Sequence, residues 1–423
     1  MSALDLHSHS VCSDETLEEG NAPGCGDAGG VRPALDLETM PPLQQALAAV
    51  LAGAGREWTR RAVAALEADA SRSADTHLMK PLFPGLAGLD IYLKNESTHP
   101  TGSLKHRLAR SLILYGICNG EIREGTHLIE ASSGSTAVSE AYFARLLGLP
   151  FTAVVPKGTS RAKLSEIERL GGTCHFVDDG ARIYDEALRL AHLYDGHYLD
   201  QFTYAERATD WRGNNNIAES IFHQMRNEPF PVPSWVVMSA GTGGTAATLG
   251  RYIRYRGFPT RLCVPDVENS VFYDAYVSGD RTVTSATGSR IEGIGRPRVE
   301  PSFRPPVIDC MVKVPDAASL AAMHVLSERL SCRVGGSTGT NFYALCSLAA
   351  TMRAEGRAGS LVTLICDGGE RYSSTYFDAD WLREKKIDIG PYRTVLERFL
   401  DQGVFDFEAA GLLGIGTRGQ PKA

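Results

Sequence analysis

Lys105 is the residue whose type and setting most clearly point to chemistry. It stands in His99-Pro100-Thr101-Gly102-Ser103-Leu104-Lys105, after the strand-like run Ile91-Tyr92-Leu93-Lys94. Leu104, Leu108, Leu112 and Ile113 recur at helical spacing, and Asn119-Gly120 reads as a stop, so a helix is predicted from Leu104 to about Cys118. Pro100 and Gly102 mark a tight strand-to-helix corner. The lysine therefore falls in the first turn of a helix, where the dipole disfavours a cation. That field, with desolvation, lowers an amine's pKa and makes it a better nucleophile. Read alone, a lysine at a helix start is a surface charge.

Two further stretches suit anions. Ser132-Ser133-Gly134-Ser135-Thr136 lies between a short strand and a helix, where hydroxyls and backbone N–H groups converge. By itself it reads first as a serine-rich helix cap. Gly241-Thr242-Gly243-Gly244-Thr245 follows the strand Trp235-Val236-Val237-Met238 and opens another helix. Glycines there permit a tight turn and a close backbone approach to a phosphate. No Gly-x-x-x-x-Gly-Lys motif accompanies it, so nucleotide binding is not indicated. Finally, the apolar strand 361–366 runs into Asp367-Gly368-Gly369-Glu370-Arg371-Tyr372-Ser373-Ser374-Thr375. An aspartate at that place also suits a helix cap.

In this order, the motifs resemble those of the cysteine synthase and cystathionine β-synthase family, pyridoxal 5'-phosphate enzymes of fold type II. The resemblance runs from about Thr76 to Phe377. It implies an α/β fold like that of the tryptophan synthase β-subunit: two parallel-sheet α/β domains with the active site in the cleft. It implies that Lys105 is the Schiff-base lysine and general base, and that no metal is needed. Ser132, Ser133, Gly134, Ser135 and Thr136 would hold a substrate carboxylate, and Gly241, Thr242, Gly243, Gly244 and Thr245 the cofactor phosphate. Gln201 resembles a second carboxylate contact, and reads equally as a polar loop residue. Ile291-Glu292-Gly293-Ile294-Gly295 resembles a loop that shapes the pocket. Thr76 to Leu82 only partly matches the family's entry segment.

Two departures are informative. Ser135 stands where the family has an asparagine that also contacts the cofactor, and Asp367 where it has a serine on the pyridine nitrogen. A carboxylate there favours the protonated ring, a stronger electron sink. The pair resembles the L-cysteine desulfhydrase branch, which implies β-elimination from L-cysteine to hydrogen sulfide, pyruvate and ammonia. Within the class the alternative is β-replacement on O-acetylserine or O-phosphoserine. Arg296 and Arg298, near the Gly-Ile-Gly loop, do not by themselves mark a phosphoserine pocket. An alternative of another class is a non-catalytic, cofactor-binding regulatory partner.

The elements that must position these residues alternate regularly. Strands at 126–130, 151–155 and 174–177 alternate with helices through Leu147, from Ser160 to Leu170 and from Arg182 to Tyr194, and a second such run begins at Ser234. That pattern implies parallel sheets covered by helices. The expected division is a disordered extension over 1–40, helices over 41–75, α/β domains over 76–230 and 231–385, and a tail over 386–423. His7, His9 and Cys12 in the extension could suggest haem, but the composition reads as a flexible tail with incidental histidines.

A net charge of −7 and a pI near 5.9 argue against a nucleic-acid surface. No apolar run reaches the roughly 18 residues of a membrane span, and no signal layout opens the chain. A cytoplasmic homodimer acting on a small amino acid is the expectation. The nine cysteines lack paired spacing, so no disulfide framework or zinc site is indicated. Cys118, Cys174, Cys263, Cys346 and Cys366 are expected to be small buried hydrophobes.

Overall fold

From Leu78 onward the chain builds two sheets. In order, the strands are β1 (Leu78–Met79), β2 (Leu89–Asn95), β3 (Leu128–Glu130), β4 (Phe151–Pro156), β5 (Thr173–Val177), β6 (His197–Tyr198), β7 (Trp235–Val237), β8 (Arg261–Val267), β9 (Cys310–Val314), β10 (Gly359–Ile365) and β11 (Gly414–Gly416). The computed structural model describes residues 42, 44, 54–213 and 216–418. The cluster His7, His9 and Cys12, the expected extension and most of the first expected helix lie outside the described residues. The chain divides at Gly55 into two units, and all these strands lie in the second.

The smaller sheet has the order β5-β4-β3-β6 with every pair parallel. The larger has the order β1-β2-β10-β7-β8-β9-β11, parallel in its interior, with antiparallel strands at its two edges. β10 is buried along its whole length and β4 nearly so. Parallel strands covered on both faces read as continuous apolar runs, which is the pattern of Leu361-Val362-Thr363-Leu364-Ile365. The fold is α/β with parallel sheets, as the motif order implies.

Residues 76–95 sit sequentially beside the smaller sheet, yet β2 pairs with β10, Ile91 opposite Leu361 and Asn95 opposite Ile365. The larger sheet is thus assembled from both sides of the inserted smaller one. A strand's pattern shows that it is buried but does not choose its partner.

Local expectations hold closely. The lysine helix spans Lys105–Cys118 and buries His106, Ala109, Leu112, Ile113, Gly116 and Ile117. Cys263, Cys346 and Cys366 are buried and Cys174 is partly so, but Cys118 is exposed. It is the last residue of its helix and faces solvent with Asn119 and Gly120, off the apolar stripe. Among the described residues no helix is long and apolar enough to cross a membrane.

Candidate active site

The pairing of β2 with β10 brings the first and last motifs together. Both strands end side by side, and the chain beyond them stays in contact. Leu104 N–H donates to the Cys366 carbonyl at 2.8 Å, and Ser103 bridges Asp367. Lys105 follows one residue later and projects into a cavity of about 780 Å³ shared with Asp367. Burial drives the amine's pKa down, the Arg296 charge adds to this, and Cys366, Asp367 and Glu140 oppose it. Desolvation is therefore the main cause, ahead of any helix-end field.

Asp367 is buried at 6% exposure, and its two oxygens differ. Tyr372 Oη donates to Oδ2 at 2.6 Å, whereas Oδ1 is buried without a hydrogen-bond partner. Burial pushes the carboxyl up to about 6, against the Tyr372 hydrogen bond and the Arg371 charge. A Cβ on Gly335 would lie 1.9 Å from Oδ1, so only glycine fits there. A buried, unpaired carboxylate oxygen requires a donor.

The two anion loops lie at the carboxyl ends of β3 and β7, where parallel sheets place ligands. Helix Ser135–Leu147 opens beside Lys105, and Ser132, Ser133, Gly134, Ser135 and Thr136 all line the cavity. Helix Gly244–Arg256 opens on the cavity's other side with Gly241, Thr242, Gly243 and Thr245 along the wall. A Cβ on Gly241 would lie 2.1 Å from the Gly293 carbonyl and 3.7 Å from Lys105 Nζ. Gly243 has φ +94°, which favours glycine. Gly244 departs from the expectation. A Cβ there would meet Ala205 at 2.8 Å, and its N–H already donates to Thr242 Oγ1 at 3.2 Å. It packs the loop onto the neighbouring helix rather than facing the cavity.

Gln201 begins helix Gln201–Ala208 and reaches the same wall. Thr136 Oγ1 donates to its amide oxygen at 2.8 Å, leaving the amide nitrogen as the group that can donate elsewhere. Ser135 Oγ accepts a hydrogen bond from Arg371, which also pairs with Glu166 at 3.6 Å. The hydroxyl hydrogen of Ser135 remains free to donate.

Sequence reasoning passed over the ties around the mouth. Lys163 Nζ meets Glu292 at 2.8 Å. Arg296 stacks on Phe202 with 4.3 Å to the ring centroid, donates to buried Glu300 at 2.9 Å and bonds the Tyr184 hydroxyl. These ties hold the Gly-Ile-Gly loop against the smaller sheet's helices. The signal was present as Arg296 and Arg298 beside that loop, but no spacing rule links them to Tyr184. Equally unforeseen is the wholly buried pair Glu130 and Glu140 behind the serine loop.

The residues present fit pyridoxal phosphate. Lys105 supplies the amine, the glycine cradle closes too tightly for a Cβ, and Asp367 Oδ1 lacks the donor that a protonated ring nitrogen offers. Among the described residues, no group of three or more His, Cys, Asp and Glu side chains is placed to hold a metal ion.

Comparison with known proteins agrees. The chain is 59% identical over 347 residues to L-cysteine desulfhydrase Cds1 of Mycobacterium tuberculosis, covering 81% of this chain and 94% of that protein. It is 26% identical over 317 residues to a cysteine synthase of Dictyostelium discoideum, covering 71% and 81%. Among solved structures, a hydrogen sulfide-producing enzyme superposes with a TM-score of 0.63 at 24% identity, over 75% of this chain and 92% of that one. A sequence profile of the pyridoxal-phosphate dependent enzymes matches residues 75–367, well over half of the chain, and the protein belongs to that family.

Proposed function

We propose that the protein catalyses β-elimination on L-cysteine, in which L-cysteine and water give hydrogen sulfide, pyruvate and ammonia. The observation that carries this reading is the buried, unpartnered Asp367 Oδ1 in the cavity that holds Lys105. The name of the Mycobacterium tuberculosis relative supports it.

Bound pyridoxal phosphate supplies an aldehyde for the substrate amine and a ring that draws electron density from Cα. The protein's own residues do the rest. Lys105, its charge disfavoured by burial, removes the Cα proton as general base. Ser132, Ser133, Ser135, Thr136 and Gln201 hold the carboxylate, which fixes the direction of the Cα–H bond. Gly241, Thr242, Gly243 and Thr245 would hold the phosphate at a helix N-terminus. Asp367 Oδ1, buried without a partner, would accept a hydrogen bond from the cofactor's ring nitrogen and so favour the protonated ring. A strong electron pull would stabilise the charge left at Cα until sulfide departs, and water is then the one co-reactant needed to give pyruvate and ammonia.

The test is to supply purified holoenzyme with L-cysteine alone. Sulfide and pyruvate should appear in equal amounts, and Lys105→Ala should lower the rate by about 10³-fold or more. A cofactor absorbance band with no release, and turnover only when a second nucleophile is added, would favour replacement. The same reading takes the protein to be a cytoplasmic homodimer. Light scattering of the purified protein reads the oligomer, and a monomeric mass would remove it.

A further inference from the structure

Behind the serine loop lies a pair of carboxyl groups that no step above uses. Glu130 ends β3, and Glu140 sits mid-helix among Ala137, Ala141 and Ala144, where solvent does not reach either residue. Glu130 accepts two backbone hydrogen bonds, Oε1 from Ala131 N–H at 2.8 Å and Oε2 from Gln201 N–H at 3.1 Å. These donors are the residue just before the serine loop and the first residue of helix Gln201–Ala208. Glu140 is opposite in character: both of its oxygens are buried and neither accepts a hydrogen bond. The two carboxyls act directly on one another's ionisation, and no other side chain or backbone N–H reaches Glu140.

Two adjoining buried carboxyls cannot both ionise, so the pair must hold a proton. Its position follows from the donors. Glu130 already collects two N–H groups, which favour the anion, whereas Glu140 collects none and can only donate. Burial is the largest influence on both, raising Glu130 to about 8 and Glu140 well above the usual carboxyl range. The other titrating groups facing the pair are Asp200, Tyr198 and Tyr184 toward Glu130, and Lys105 and Tyr198 toward Glu140. Among these, Lys105 is the one cation, and its own charge is disfavoured by burial.

We infer that Glu140, as the protonated donor to Glu130, is a positioning residue that holds the serine loop and Gln201 as one substrate-carboxylate subsite. The network closes on itself. Glu130 ties Ala131 to Gln201 through the backbone, Thr136 ties the loop to Gln201 through its side chain, and Glu140 completes the donors to Glu130. With the proton in place the pair carries one negative charge at most, behind a loop that must accept an anion. Loss of the proton doubles that charge and removes a donor, so carboxylate binding weakens while proton removal at Cα is spared.

The inference rests on assigning residues 132–136 and Gln201 to the substrate carboxylate. It is tested with holoenzyme by titrating L-alanine, which has no β leaving group, and following the cofactor's visible band, alongside L-cysteine kinetics. Glu140→Leu should raise the L-alanine dissociation constant and the KM by about tenfold, with kcat within about threefold. Glu140→Gln, whose amide can still donate, should keep both constants within about threefold of wild type. It should also abolish the alkaline rise in KM caused by loss of the shared proton. Unchanged constants in Glu140→Leu would overturn the inference, as would Glu140→Gln failing as badly as Glu140→Leu. Because the L-alanine titration needs no turnover, absence of sulfide release beside a normal band response would count against elimination alone.

Discussion

Glu96 and Glu130 flank the lysine motif, and both are wholly buried, yet their pKa values move in opposite directions. At Glu96 burial works against ionisation, and Arg107 and His99 more than reverse it, holding the carboxyl well below its usual range. Arg107 Nε donates at 2.7 Å and its second nitrogen at 3.0 Å, while Thr76 Oγ1 donates at 2.6 Å. Glu130 meets only backbone N–H groups and another carboxyl, and its pKa goes up to about 8. Desolvation is common to both, so the partners decide. The ionised site pins the start of the lysine helix to the strand before it. The site with the raised pKa shapes the loop that would take the substrate.

The largest effect should come from breaking the ionised site. Glu96→Ala leaves Arg107 without its buried counter-charge and should cost on the order of 3 kcal/mol of stability, read by chemical denaturation. A loss below about 1 kcal/mol would mean that Asp75, which accepts from Arg107 at 2.7 Å, suffices alone.

A smaller effect sharpens the contrast through pH. Glu96 has a depressed folded pKa, so its contribution is present above the unfolded value of 4.5 and is lost as pH falls. Glu130 has a raised one, so its contribution is full below 4.5 and is lost as pH rises to about 8. Thermal unfolding across this range should therefore show Glu96→Ala flattening the acid arm only. Glu130→Gln, which removes the titrating group, should flatten the decline between 4.5 and about 8 only. Identical profiles for the two variants would erase the distinction.

The smallest expected effect lies at Asp367, a third buried carboxyl, intermediate between the two. Its pKa, raised to about 6, is moderated by Tyr372, which stacks on Tyr376 with ring centroids 4.8 Å apart. Tyr372→Phe should move the pH midpoint of the cofactor's absorbance change upward by about half a unit. No movement would show that Oδ2 finds another donor.

The sequence by itself determined the local pieces: the corner before Lys105, the two loops opening helices, and the strand ahead of Asp367. These depend on residues near in the chain, on glycine and proline at the corners and on the apolar period, so they are legible without partners. It also determined the family, since five motifs in order carry that information. Tertiary structure decided the rest. Only the β2–β10 pairing sets Asp367 beside Lys105, and only close packing against Ala205 turns Gly244 away from the cavity. Only the crossing of β3, helix Ser135–Leu147 and the start of helix Gln201–Ala208 makes two glutamates ten residues apart share a proton. Pairing partners and buried charge states depend on groups brought together from distant parts of the chain, and no spacing in the sequence records their mutual distance.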